Sequence, residues 1–303
     1  MIRCGWIPDP ADFAGDGRPE FTLAAKPAYT QAHGPILLQD ANNCVAFFLA
    51  GGMRDRMAMQ GTVNPRLPSH RWIYWWARKL GGEETVDNGS QPSLAVEGIN
   101  TYGWCAIEHF DSTHDVFTEP GPEAARYAFD QRGKVKIHRL YGLDDIKLAI
   151  AHDLGVGVAL QVDHAFEHLP AGAVWNGLAG AAVGGHMFRL VGYDDAKRAF
   201  VIMNSWGDTW ADGGFGLIGY EAATNGESYA IDWVPSPTED NPLGGSLCAQ
   251  STSSPRSSAS CSGTSSRDAT TLLLRCPTRQ TVAARALAWR PSAAKAGSPL
   301  RLA

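Results

Sequence analysis

Three residue types, far apart in the chain, together carry the chemistry of a nucleophilic hydrolase: Cys44, His186 and Asn204. A thiolate attacks a carbonyl carbon. An imidazole takes the thiol proton and later returns it to the leaving amine. An amide fixes the orientation and tautomer of the imidazole. His186 stands in Gly184-Gly185-His186-Met187-Phe188-Arg189-Leu190-Val191-Gly192-Tyr193, and Asn204 closes Phe200-Val201-Ile202-Met203-Asn204-Ser205-Trp206-Gly207. Both read as apolar strands, with His186 opening the first, and a short Asp/Lys/Arg turn joins them. Antiparallel pairing would set His186 and Asn204 side by side at one end of a sheet.

The elements that position the cysteine follow from its surroundings. Asp40, Asn42 and Asn43 are N-cap types. Val45, Phe48, Leu49, Gly52, Met53 and Met57 recur at helical spacing, which predicts a buried helix beginning near Cys44. In the first turn, unpaired N–H groups and the helix dipole favour thiolate over thiol. The developing oxyanion needs donors, and the candidates are the Cys44 backbone N–H and the Gln39 side-chain amide. Gly184 and Gly185 let a substrate backbone come close and are read as its flank.

Residues 1–35, rich in Pro, Gly and Asp, read as an extended arm laid over the body. Helices are expected from Ser69 to Gly81-Gly82, over 93–102 and over 122–129, with 104–119 irregular. The character changes near Gly133, with a strand at 135–140, a helix at 144–154 and a strand at 156–162. A Gly/Ala/His loop at 163–183 and closing strands at 213–220 and 230–234 complete the body. Helices first and sheet second imply an α+β fold of two lobes, about 36–132 and 133–235, with a cleft between them. From Ser236 to Ala303 the chain is Ser/Thr/Ala/Arg/Pro-rich without a period and reads as a disordered low-complexity tail.

The formal net charge is −5, with eight Lys/Arg against three Asp/Glu after Pro235, so the tail carries about +5 and the body about −10. This balance gives no reason to expect nucleic acid or an anionic membrane as partner. No apolar run is long enough to span a bilayer, and the first ten residues lack the apolar stretch of a secretory signal. The expectation is a cytosolic chain, or one exported by a route not visible in the sequence. Cys4, Cys44, Cys105, Cys248, Cys261 and Cys276 form no close pair and no metal-ligand spacing, so neither a disulfide framework nor a metal or organic cofactor is implied.

The order Cys, His, Asn resembles that of the papain-like cysteine peptidases. The residues that carry the resemblance are Cys44-Val45-Ala46-Phe47, Gly185-His186 through Val191-Gly192-Tyr193, and Asn204-Ser205-Trp206-Gly207-Asp208-Thr209-Trp210 with Gly213-Gly214-Phe215 behind. Trp72 to Arg78, Asp87-Asn88-Gly89-Ser90 and Tyr102-Gly103-Trp104-Cys105 look like left-lobe segments of short bacterial and viral members. The resemblance covers roughly residues 36–235. It implies a helical left lobe, an antiparallel β-barrel right lobe, peptide-bond hydrolysis through a thioester, peptide or protein substrates, and Trp206 shielding the Asn204–His186 hydrogen bond. Three departures stand out. Gln39 precedes Cys44 by five residues where the family's oxyanion glutamine stands six before, and Ala41 replaces a frequent half-cystine. The arm is also shorter than the family's long inhibitory propeptides, so activation by its removal is not expected.

Other readings coexist with this one. The same triad could perform acyl transfer, transglutamination or deamidation. The chain could also be a catalytically inactive binding module, with the shifted Gln39 as its marker. Cys105 and Trp72, Trp75 and Trp76 are read as core. His164 and His168 have the spacing of a helical metal pair, but Pro170 and the Gly/Ala loop argue against a helix there.

Overall fold

The computed structural model describes residues 4–21, 26–131 and 133–235; the expected tail lies outside the described residues. In chain order, the helices are α1 (Cys44–Met59), α2 (His70–Gly81), α3 (Pro92–Tyr102), α4 (Pro122–Asp130), α5 (Gly142–Ala151), α6 (His164–Glu167) and α7 (Tyr220–Thr224). The strands are β1 (Ala28–Thr30), β2 (Gly133–Leu140), β3 (Gly155–Asp163), β4 (Val174–Trp175), β5 (Ala182–Asp194), β6 (Ala199–Met203), β7 (Phe215–Gly219) and β8 (Glu227–Pro235).

The helix boundaries have local causes. Ser69 caps α2 by accepting from the Trp72 N–H at 3.0 Å, and Gly82 ends it in the left-handed region at φ 72°. Pro92 opens α3 at the position where its missing N–H matters least, and Gly103 ends it at φ 78°. α1 begins at Cys44 without a side-chain cap and is buried on nearly every side. Its stability therefore comes from packing rather than from its ends.

The sheet runs β2-β8-β3-β5-β6-β7-β4, with β1 also pairing β5. It is mixed, because β4 pairs β7 in parallel while the other pairs are antiparallel. Among the described residues the path is open, so the expected closed barrel is corrected to an open eight-stranded sheet. The expected loop at 163–183 is also corrected: it holds α6, β4 and the first turns into β5. His186 accordingly lies inside β5, opposite Leu160 of β3, rather than at a strand start.

Alternation along β5 serves two cores. Met187 packs into the cluster built by α1, α2 and α3, whereas Phe188 and Leu190 pack into the cluster beneath α5 and α6. A register shift between Leu190 and Gly192 then re-aims the strand, placing Val191 in a third small cluster with β6 and β7. The arm lies over this body, through β1 against Gly192–Asp194 and through isolated bridges at Trp6 and Gly15.

One buried ion pair ties α1 to β5. Arg189 meets Asp55 at 2.7 Å, and Arg54 holds the other carboxylate oxygen at 2.8 Å. Burial pushes the Asp55 carboxyl up, but Arg189, Arg54 and the Gly34 amide outweigh it and hold its pKa below the ordinary value. Asp55→Ala leaves Arg189 buried and unpaired, and is expected to destabilise the fold by about 3–5 kcal/mol in denaturant titrations. A depressed folded pKa gives stability that is present above the unfolded value, near 3.9, and lost as pH falls through the folded one. The acid limb of the stability curve should therefore lie below about pH 4, and Asp55→Asn should make it shallower.

Candidate active site

β5 and β6 bring His186 and Asn204 together as their pairing requires. His186 Nε2 donates to Asn204 Oδ1 at 2.9 Å, and the same oxygen accepts from the Ser205 N–H at 2.8 Å. Two donors on one oxygen settle which amide atom faces the ring. The proton is on Nε2, and Nδ1 carries the lone pair. Nδ1 is buried and has no hydrogen-bond partner. Trp206 stacks on the imidazole with centroids 4.4 Å apart and planes inclined by 23°.

The imidazole also rests on Phe166, a residue the sequence did not single out. Its ring lies 6.2 Å from His186, 5.6 Å from Trp206 and 5.2 Å from Trp210. Phe166 is held by Asp163, whose carboxylate accepts from the Phe166 N–H at 3.0 Å, Trp175 Nε1 at 3.1 Å, Ala179 N–H at 2.6 Å and Gly180 N–H at 3.1 Å. Burial raises the Asp163 pKa, yet these four donors bring it below the usual carboxylate range.

Cys44 heads α1 and is fully buried. The backbone amides of Met187, next in sequence to His186, and of the first turn of α1 favour the thiolate form of the Cys44 sulfur. The structure thus sets the thiol against the His186–Met187 peptide. The approach loop is anchored on both sides: Asp40 pairs with Arg71 at 2.7 Å, and Asn42 donates to the Asp87 carbonyl at 2.6 Å. Tyr74 donates to the Asp87 carboxylate at 2.5 Å.

Burial works against the expected thiolate. Burial pushes the Cys44 thiol up to about 12, more than the amides recover, and the nearby Cys4 adds to the rise. Burial likewise pushes His186 down to about 4 against the hydrogen bond to Asn204. With the arm in place, burial favours a neutral thiol and a neutral imidazole. Desolvation outweighs the helix start, because neither charge has water to solvate it.

Gln39 reaches the site by a short pairing with the segment after Asn204. Its N–H donates to the Ser205 carbonyl at 2.7 Å, and the Gly207 N–H donates to the Leu37 carbonyl at 3.0 Å. Ser205 Oγ donates to Gln39 Oε1 at 2.6 Å, and Gln39 Nε2 donates to the Ala41 carbonyl at 3.0 Å. The side chain is therefore oriented, and it lines a cleft of about 880 Å³ with Asp40, Trp206, Glu167 and His168.

Gly184 and Gly185 flank the site, and the arm occupies the place expected for substrate. The N–H groups of Gly5 and Trp6 both reach the Gly185 carbonyl, at 2.9 and 3.1 Å. On the opposite wall the Ser90 N–H donates to the Gly5 carbonyl at 2.8 Å, and the Ile7 N–H to the Ser90 carbonyl at 3.1 Å. Cys4 covers Gly184. The arm is short, and it bridges both walls beside Cys44. Gly5 makes this fit possible: a Cβ there would come 1.8 Å from the Asn42 carbonyl oxygen.

Residues 118–231, which contain His186 and Asn204, match the family described as papain family cysteine protease. Over that segment the chain is similar to the papain family of cysteine proteases. Its papain-like fold is shared with xylellain, a cysteine protease from Xylella fastidiosa, at a TM-score of 0.65 and 21% identity over 76% of this chain and 96% of that one. In sequence it is 24% identical over 208 residues to the peptidase C1-like protein L477 of Acanthamoeba polyphaga mimivirus, covering 63% of this chain. It is 31% identical over 200 residues to cathepsin B-like protease 1 of Arabidopsis thaliana, covering 59% of this chain. The chain spans 66% and 52% of the lengths of these two curated relatives.

The arm's position makes its docking measurable. Gly5→Ala drives a methyl group into the Asn42 carbonyl, and overpacking of this kind costs about 1–3 kcal/mol. The docked-to-released ratio should fall by about five- to a hundredfold, with a matching rise in the rate of Cys44 alkylation by iodoacetamide. The thiol's titration midpoint should move down from about 12 as water reaches the sulfur. An unchanged alkylation rate would separate the arm from the nucleophile's environment.

Proposed function

We propose that the protein is a cysteine-type peptidase in which Cys44, His186 and Asn204 cleave peptide bonds through a thioester. The observation that carries this reading is the imidazole itself: Nε2 is fixed to Asn204 at 2.9 Å, and a buried, unpartnered Nδ1 stands beside the peptide that holds the thiol. Nδ1 takes the Cys44 proton as the sulfur adds to the scissile carbonyl, so the ion pair forms as the bond forms. The imidazolium then protonates the leaving amine, and water, deprotonated by the same nitrogen, releases the acid product. The Cys44 backbone N–H and the Gln39 amide are the donors for the oxyanion. Substrate follows the walls at Ser90 and Gly185, which implies that the arm leaves first and that Gly184 and Gly185 then face the substrate backbone. Members of this family act on peptides or proteins, and the backbone donors and acceptors at Ser90 and Gly185 suit an extended chain.

Cys44→Ala should abolish hydrolysis of a peptide library while leaving the thermal transition in place. Asn204→Ala should lower kcat/KM by about 10²-fold, because the imidazole loses its orienting bond, with KM little changed. Turnover by Cys44→Ala equal to the parent would remove Cys44 from the mechanism. Product mass with an added amine nucleophile separates hydrolysis from acyl transfer.

A further inference from the structure

The one-turn helix α6 carries a cluster that the proposed peptidase chemistry does not use. His164, Glu167 and His168 offer three ligand atoms that all lie within 4.8 Å of one another. His164 Nδ1 is 2.9 Å from Glu167 Oε2, and His168 Nε2 is 3.5 Å from the same oxygen. Four-coordinate zinc with bonds near 2.0–2.1 Å separates its ligand atoms by about 3.3 Å, and the two observed spacings bracket that value. The spacing i, i+3, i+4 puts all three on one face of a turn.

The turn is held from behind. Phe166 is fully buried on the opposite side, and the Asp163 carboxylate caps the turn through the Phe166 N–H while also accepting from Trp175, Ala179 and Gly180. The objection that Pro170 and the Gly/Ala loop preclude a helix is answered by this cap, which needs no further helical length. In front, the histidines are open to solvent, with side chains 74% and 77% exposed and rings inclined by only 17°. A cation can therefore enter without opening the fold.

We propose that His164, Glu167 and His168 form a binding site for a divalent transition metal, zinc in the first instance. Two imidazoles and one carboxylate suit zinc, nickel or copper better than magnesium or calcium, which prefer all-oxygen shells. Three protein ligands leave a fourth position for water. Glu167 and His168 also line the cleft of about 880 Å³, so the ion lies on its rim. The proposal rests on the cluster's own geometry and stands whether or not Cys44 is the nucleophile.

The test is calorimetric titration of the untagged full chain with zinc chloride. Cys4, Cys44, Cys248, Cys261 and Cys276 are thiols that could capture zinc elsewhere, so a chain with all five replaced by alanine serves as the reference, Cys105 being buried in the core. One ion per chain should bind in both. Replacing His164 and His168 together by alanine in the reference chain should weaken binding by more than about tenfold, with the circular dichroism spectrum unchanged because both side chains are exposed. Glu167→Gln, a near-isosteric change, should also weaken it. Cobalt should give weak visible bands without the thiolate charge-transfer band. Absence of binding in the reference chain, or equal affinity after loss of both histidines, overturns the site.

Discussion

The antiparallel pairing of β5 with β3 and β6 is the constraint on which the rest of this structure depends. It places His186 within hydrogen-bond reach of Asn204, and its alternation sends Met187 toward α1 and Phe188 toward α6. One strand thereby carries the imidazole and, one residue on, the Met187 side chain that packs with the cluster containing Cys44. The bulge at Val191 and the ion pair Asp55–Arg189 keep that strand in a single register against the helix that carries Cys44. A slip of one residue would exchange the two faces and separate the candidate triad.

Burial is the second theme, and it works against charge. Cys44 and His186 are both sealed, and sealing pushes each toward its neutral form. A site of this kind is quiet while closed. The arm is part of the seal, since it bonds to Ser90 and Gly185 on the two walls and places Cys4 over Gly184. Under the proposed function, displacement of the arm would hydrate the pair and let the dipole of α1 favour thiolate.

Much of this was legible in the chain because the chemistry lies in short local patterns. The helix at Cys44 follows from its apolar spacing, the caps of α2 from Ser69 and Gly82, and the His186–Asn204 meeting from two apolar strands around a tight turn. What escaped has a common cause, dependence on distant partners. Phe166 sits in a Gly/Ala stretch with no period, and its value comes from Trp206, Trp210 and a cap at Asp163. Gly5 looks like any turn glycine until the Asn42 carbonyl is placed against it. The neutral state of the pair reflects enclosure by the whole fold, which overrides the local preference of a helix start. The open sheet also departs from the expected barrel, since strand patterns define pairing neighbours but not whether β2 and β4 meet.

The most direct test of the account is covalent trapping of the nucleophile with a peptidyl epoxide, followed by peptide mapping, in the parent chain and in a His186→Ala chain, each carrying Gly5→Ala to release the arm. The account predicts a single adduct on Cys44 that requires His186. An adduct elsewhere, none at all in the folded arm-released chain, or equal labelling without His186 would contradict it.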